Sequence, residues 1–131
     1  MKWSDKFSVG VKQIDKQHKH FIGIMEELFE AMQSDKKNAV PKIIIELTSY
    51  ADVHFATEEA YFDKFNYIDK DAHKAEHAKI KNQIKEFLAK KDDDPFTLGY
   101  NLLDLLEDWL FKHILTVDKK YVECFKKHGV I

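Results

Sequence analysis

Apolar residues recur at steps of three and four along four separate stretches of this 131-residue chain, with short polar breaks between them. That period matches the turn of an α-helix, so each stretch presents one apolar face. The first helix is expected from near Asp15 to Gln33, with His18, Phe21, Ile22, Met25, Leu28, Phe29 and Met32 on one stripe. Ser34 to Asn38 is a polar break, and Asn38 is placed to cap a second helix that tolerates Pro41 in its first turn and reaches about Phe65. Its inward positions are Val40, Ile44, Leu47, Ala51, His54, Glu58, Tyr61 and Phe65. The third helix, about Asp71 to Lys90, carries His73, His77, Ile80, Ile84 and Phe87; the fourth, after Asp92 to Asp94 and Pro95, carries Leu98, Leu102, Leu106, Trp109 and His113. Residues before about Ile14 form an irregular arm. Short connections make neighbouring helices antiparallel, so the expected fold is all-α, an up-down-up-down four-helix bundle formed by residues 1–131 as a single domain.

Composition supports one buried core and removes some functions. The chain is 44% hydrophobic, with ten Phe and five Tyr, enough for an interior, while 34% charged residues suit helices with solvated outer faces. The formal net charge is -2 and all 21 basic residues are lysines, so no guanidinium is present to grip phosphate or guanine; nucleic acid is not an expected partner. A single cysteine, Cys124, allows no intrachain disulfide and is read as a packing residue. Met1 to Gly10 has no apolar run of signal-peptide length and no segment approaches a membrane span, which makes the cytoplasm the expected location.

Against this pattern, ionisable residues occupy inward positions: His18, His54, Glu58, His73, His77 and His113. A spacing of four stacks His54 on Glu58 and His73 on His77, as two side chains of one helix must stand to share a metal. After His113 the apolar period restarts at Val122 and Phe125, and counting back by four from Val122 lands on Asp118, one residue out of register. In a regular helix residues five apart point about 140° away from each other. A single π-type turn would absorb the extra residue and bring Asp118 to the face of His113.

Buried ionisable groups without partners each cost several kcal/mol, so this set needs a compensating charge. A lone histidine on an apolar stripe is ordinarily a hydrogen-bonded core residue, and one His-x-x-x-Glu or His-x-x-x-His pair is common on exposed helices. Their joint occurrence on four helices points instead to a metal. Seven ligands exceed the needs of one ion and suit a dinuclear centre bridged by Glu58 and Asp118; imidazole accepts iron, zinc, copper or nickel alike. His20 lies about 200° round the helix from His18 and His128 lies in the tail, so neither is a candidate ligand. Gly23 could permit a close helix approach.

The order His18, His54 with Glu58, His73 with His77, and His113 with Asp118 resembles the hemerythrin family, in its single-domain bacterial form, over essentially the whole chain. The resemblance implies two iron ions: one held by His73, His77 and His113, the other by His18 and His54, with Glu58, Asp118 and an oxo or hydroxo group as bridges. It implies reversible O2 binding at the open position of the two-histidine iron, for storage or transport rather than catalysis. The apolar residues one turn from the ligands, Phe21, Phe55, Trp109, Leu110 and Ile114, would line the O2 pocket, although ordinary core packing explains them as well. An oxygen-consuming enzyme would be the client, and a monomer is expected because no second wide apolar face is evident. Sensing of O2, NO or redox state is the competing task, though sensors of the family usually carry an output domain and this chain has no residues left for one. A di-iron oxidase is disfavoured by the histidine-rich ligand set.

Overall fold

The structure, a computed structural model, describes residues 2–130, and the regular elements among them are all helical. Helix α1 spans Lys12–Gln33, α2 Val40–Phe65, α3 Lys70–Ala89 and α4 Pro95–Trp109. A π-helical segment, Leu110–Val117, and a 3-10 turn, Asp118–Tyr121, lead into a short last helix α5, Val122–Lys127. Helix α2 packs against both α1 and α3, and α4 packs against α1 and α2, which gives the expected antiparallel four-helix bundle. No helix among the described residues is long and apolar enough to cross a membrane.

The helix ends depart from the sequence expectation in physically readable ways. The arm is less irregular than expected: a 3-10 turn at Asp5–Phe7 precedes α1, which starts at Lys12 rather than near Asp15. The Asp15 carboxylate turns back to accept hydrogen bonds from the Ser8 hydroxyl (2.6 Å) and the Val9 amide (2.7 Å), and so fastens the arm to the first turn. Ile14, four residues before His18, is fully buried and belongs to the same stripe. Asn38 does not cap α2; it lies in a 3-10 turn, Lys37–Ala39, and α2 begins at Val40 without a side-chain cap. Asp94 does cap α4, accepting from the amides of Phe96 and Thr97 ahead of Pro95 in the first turn. Asn66 ends α2 in the left-handed region, φ 50°, which asparagine tolerates better than most residues.

Most inward positions are buried as the stripes require, but Phe29 is not: it is 49% exposed on the outer side of α1. The apolar interior falls into two clusters. The larger holds Phe21, Met25, Leu28, Ile44, Leu47, Ala51, Phe55, Ile80, Leu106, Leu110 and Ile114 among others; the smaller holds Val9, Val11, Ile14, Phe62, Tyr67, Tyr121 and Phe125. Each chain segment that crosses from one cluster to the other places its ionisable residues at the crossing. His18 lies between Ile14 and Phe21, His54 and Glu58 lie between Ala51 and Phe62, His73 and His77 between Tyr67 and Ile80, and His113 with Asp118 between Leu110 and Tyr121. Both clusters therefore hold the polar layer closed, each fully buried large side chain contributing about 1.5–3 kcal/mol.

The glycine that matters to helix packing is Gly99, not Gly23. A Cβ at Gly99 would run into Sδ of the buried Met32, whereas one at Gly23 would meet nothing within 4 Å. Gly99→Ala should destabilise the protein by about 1–3 kcal/mol through overpacking, in part offset by alanine's better helix propensity. Gly23→Ala at its exposed helical position should stabilise by about 0.5–1 kcal/mol. Urea unfolding of the two variants checks both signs.

Candidate metal centre

The seven residues singled out in the sequence, His18, His54, Glu58, His73, His77, His113 and Asp118, are all buried, none more than 3% exposed. Four of them come in pairs four residues apart on straight helix, His54 with Glu58 and His73 with His77, and need no special backbone. Asp118 does. The Leu110–Val117 segment is π-helical over eight residues, longer than the single turn expected, and the amide of Asp118 donates to the carbonyl of His113 five residues back. The Thr116 hydroxyl donates to the Phe111 carbonyl with the same spacing, 3.3 Å. The wider turn brings Asp118 to the face of His113, as the register break requires.

Asp118 is the hub of the layer. Its Oδ1 faces Nε2 of His73 and of His113, each at 2.9 Å, and its Oδ2 faces Nε2 of His18 at 3.3 Å. Oε1 of Glu58 faces Nε2 of His54 and of His77, each at 3.2 Å, while Oε2 accepts the Tyr121 hydroxyl at 2.6 Å. Ligand atoms converge in two overlapping groups, Glu58, His73, His77, His113 and Asp118 in one and His18, His54, Glu58 and Asp118 in the other, all within 4.8 Å of one another in each.

Electrostatics explain why both carboxylates stay ionised in a dry layer. Burial opposes the charge on Asp118, but the imidazoles of His113, His18 and His73 outweigh it and hold the carboxyl well below its usual range. Burial and the nearby Asp118 charge likewise push Glu58 up, and His54 and His77 more than reverse this. For His18 and His113 burial favours the neutral ring, yet Asp118 raises both.

A metal fits this donor set better than protons do. Nε2 of His73 and Nε2 of His113 approach to 3.0 Å and both face Oδ1 of Asp118, the arrangement of ligands that converge on a single ion. Buried side-chain polar atoms without a hydrogen bond include His18 Nδ1 and Nε2, Glu58 Oε1, His73 Nδ1, His77 Nε2 and both oxygens of Asp118; the remaining one is the Tyr50 hydroxyl. The orphaned atoms are therefore concentrated in the layer, and most are ligand atoms aimed at its middle.

Residues behind the layer escaped the sequence reading. Gln17 Oε1 accepts from His54 Nδ1 at 2.7 Å, and Glu59 and Glu76 stand at 2.8 Å and 3.2 Å from Nδ1 of His77 and His113. Glu59 and Glu76 read as ordinary outer-face charges, and only the reach of a long side chain back to its neighbour's ring gives them a part. Tyr121 carried a detectable signal, since it lies four residues before the inward Phe125 and three after Asp118. Tyr121→Phe should lower the stability of the metal-free protein by about 1.5–3 kcal/mol, because a fully buried carboxylate oxygen loses its donor; denaturant unfolding reads this directly.

Of the residues proposed from the sequence to line a pocket, Phe21, Phe55, Leu110 and Ile114 are buried in the larger apolar cluster and Trp109 is partly buried against it. Phe55 stacks on His77 with ring centres 4.1 Å apart, and Trp109 stacks on His113 at 3.7 Å. As expected, His20 and His128 stay out of the layer: His20 meets Glu46 at the surface, and His128 stacks on Phe65.

An antiparallel four-helix bundle that converges five imidazoles and two carboxylates between two apolar clusters is built as a metal-binding bundle protein. The profile of the hemerythrin HHE cation binding domain matches residues 9–125, and the chain belongs to the hemerythrin family. Bacteriohemerythrin of Clostridium acetobutylicum is 31% identical over 126 residues, covering 92% of this chain and 98% of that protein. Bacteriohemerythrin of Methylococcus capsulatus is 30% identical over 125 residues, 95% of each chain. Among solved structures, a wild-type hemerythrin crystal structure superposes with a TM-score of 0.82 at 29% identity, covering 95% of this chain and 96% of that one.

Proposed function

We propose that the chain binds O2 reversibly at a non-haem di-iron centre, for oxygen storage or transport, with residues 1–131 acting as one such domain. One iron would be held by His73, His77 and His113, the other by His18 and His54, and Glu58 and Asp118 would serve both. The observation that carries this reading is the unequal sharing of ligands: the two donor groups have Glu58 and Asp118 in common but three and two histidines of their own. The position with fewer ligands keeps room for a small exchangeable molecule. When bound, the iron pair would supply electrons to O2 and recover them on its release.

The protein's own residues account for reversibility. Phe21, Phe55, Trp109, Leu110 and Ile114 form an apolar wall beside the layer, which excludes water and withholds the protons that would commit bound O2 to reduction. The donor set itself favours binding over oxidation, because carboxylate-rich di-iron sites use more anions than the two present here. Glu58 is kept as an anion by His54 and His77 and is oriented by the Tyr121 hydroxyl. In this reading the chain acts as a monomer and its O2 goes to an oxygen-consuming enzyme.

An oxygen electrode tests the reading. Reduced, iron-loaded protein should take up O2 and return the same amount on argon purging through repeated cycles. Uptake that continues while a reductant is supplied, with nothing returned on purging, would instead mark an oxidase.

A further inference from the structure

The hydrogen bonds behind the histidines are distributed unevenly, and the unevenness follows the boundary between the two donor groups. In the three-histidine group, Nδ1 of His77 meets the Glu59 carboxylate at 2.8 Å and Nδ1 of His113 meets the Glu76 carboxylate at 3.2 Å, while Nδ1 of His73 has no hydrogen-bond partner. In the two-histidine group, Nδ1 of His54 meets only the neutral amide oxygen of Gln17 at 2.7 Å, and no carboxylate stands within hydrogen-bond reach of Nδ1 of His18. The Gln17 amide is fixed in that sense, since its Nε2 donates to the Thr57 hydroxyl at 3.1 Å and that hydroxyl donates to the Val53 carbonyl at 2.9 Å. The oxygen is thereby left for His54.

A carboxylate that accepts the Nδ1 proton pushes electron density to Nε2 and makes the imidazole a stronger donor, and its negative charge favours a more highly charged metal; a neutral amide does the first weakly and the second not at all. We propose that Glu59 and Glu76 make the three-histidine position the tighter-binding and more readily oxidised of the two, while Gln17 leaves the two-histidine position the weaker and more exchangeable one. This rests on the two-metal reading given above. Glu59 and Glu76 touch no reacting atom; they act through His77 and His113 as positioning residues. Their side chains are 31% and 45% exposed, so the isosteric change to glutamine removes the charge, keeps an oxygen able to accept from the ring, and leaves the core undisturbed.

The test uses the full chain, freed of metal and titrated with Co(II), whose visible absorption reports each filled position without any O2 chemistry. The wild-type protein should fill in two steps of different affinity. Glu59→Gln and Glu76→Gln should each weaken the tighter step by about 10–100-fold while the weaker step keeps its affinity, and Gln17→Glu should strengthen the weaker step. Two steps that both glutamine variants weaken equally, or leave unchanged, would overturn the proposal and leave the two-metal reading standing. A single Co(II) bound per wild-type chain would remove both. With iron bound, the midpoint potential of the first oxidation should rise in the two glutamine variants, a shift that loss of mere packing would not produce.

Discussion

Replacing Asp118 by alanine is expected to leave the protein unable to hold a metal pair, with bound iron falling to at most a single ion per chain. The side chain faces three imidazoles, those of His73, His113 and His18, and it belongs to both donor groups, so both positions lose a ligand at once. In the metal-free protein the same change removes the buried partner that faces His18, His73 and His113, and breaking a buried pair of this kind costs about 3–5 kcal/mol. Asp118→Asn separates the two effects: it keeps the volume, so the fold should survive better than in the alanine variant while metal loading still fails. Iron analysis after anaerobic reconstitution reads the first effect and urea unfolding the second. A full iron pair in Asp118→Ala would take this residue out of the ligand set.

Metal removal should have the other large effect. A metal that binds the folded chain and not the unfolded one stabilises it by about 4 kcal/mol when free metal exceeds its dissociation constant a thousandfold. For a chain of this length that moves the melting temperature by on the order of 10 °C. Differential scanning of loaded and chelator-treated protein should show this drop. The π-helical segment should loosen first, since its unusual turn is held by His113 and Asp118 facing a common centre. Equal melting temperatures with and without metal would mean that the layer is satisfied by its own protons.

Much of this was legible in the sequence because helices write their buried face at a fixed period. An ionisable residue on that face announces itself by being out of place, and Asp118 did so through a register slip of one residue. What escaped has physical reasons. Phe29 fits the spacing of the α1 stripe yet lies at its edge, where a few tens of degrees decide between core and solvent. The early start of α1 depends on Asp15 bonding back to Ser8 and Val9, a tertiary contact that no propensity encodes. Asn38 has the chemistry of a cap, but a 3-10 turn already occupied the entry to α2. Glu59 and Glu76 resemble any solvated acid, since only the fold brings their carboxylates to the outer nitrogens of His77 and His113.

Iron-edge anomalous diffraction from crystals of the iron-loaded protein tests the central claim most directly. Two separate peaks are predicted, one within reach of His73, His77 and His113, the other of His18 and His54, both within reach of Glu58 and Asp118. A single peak shared by all the imidazoles, or peaks away from the buried layer, would contradict it.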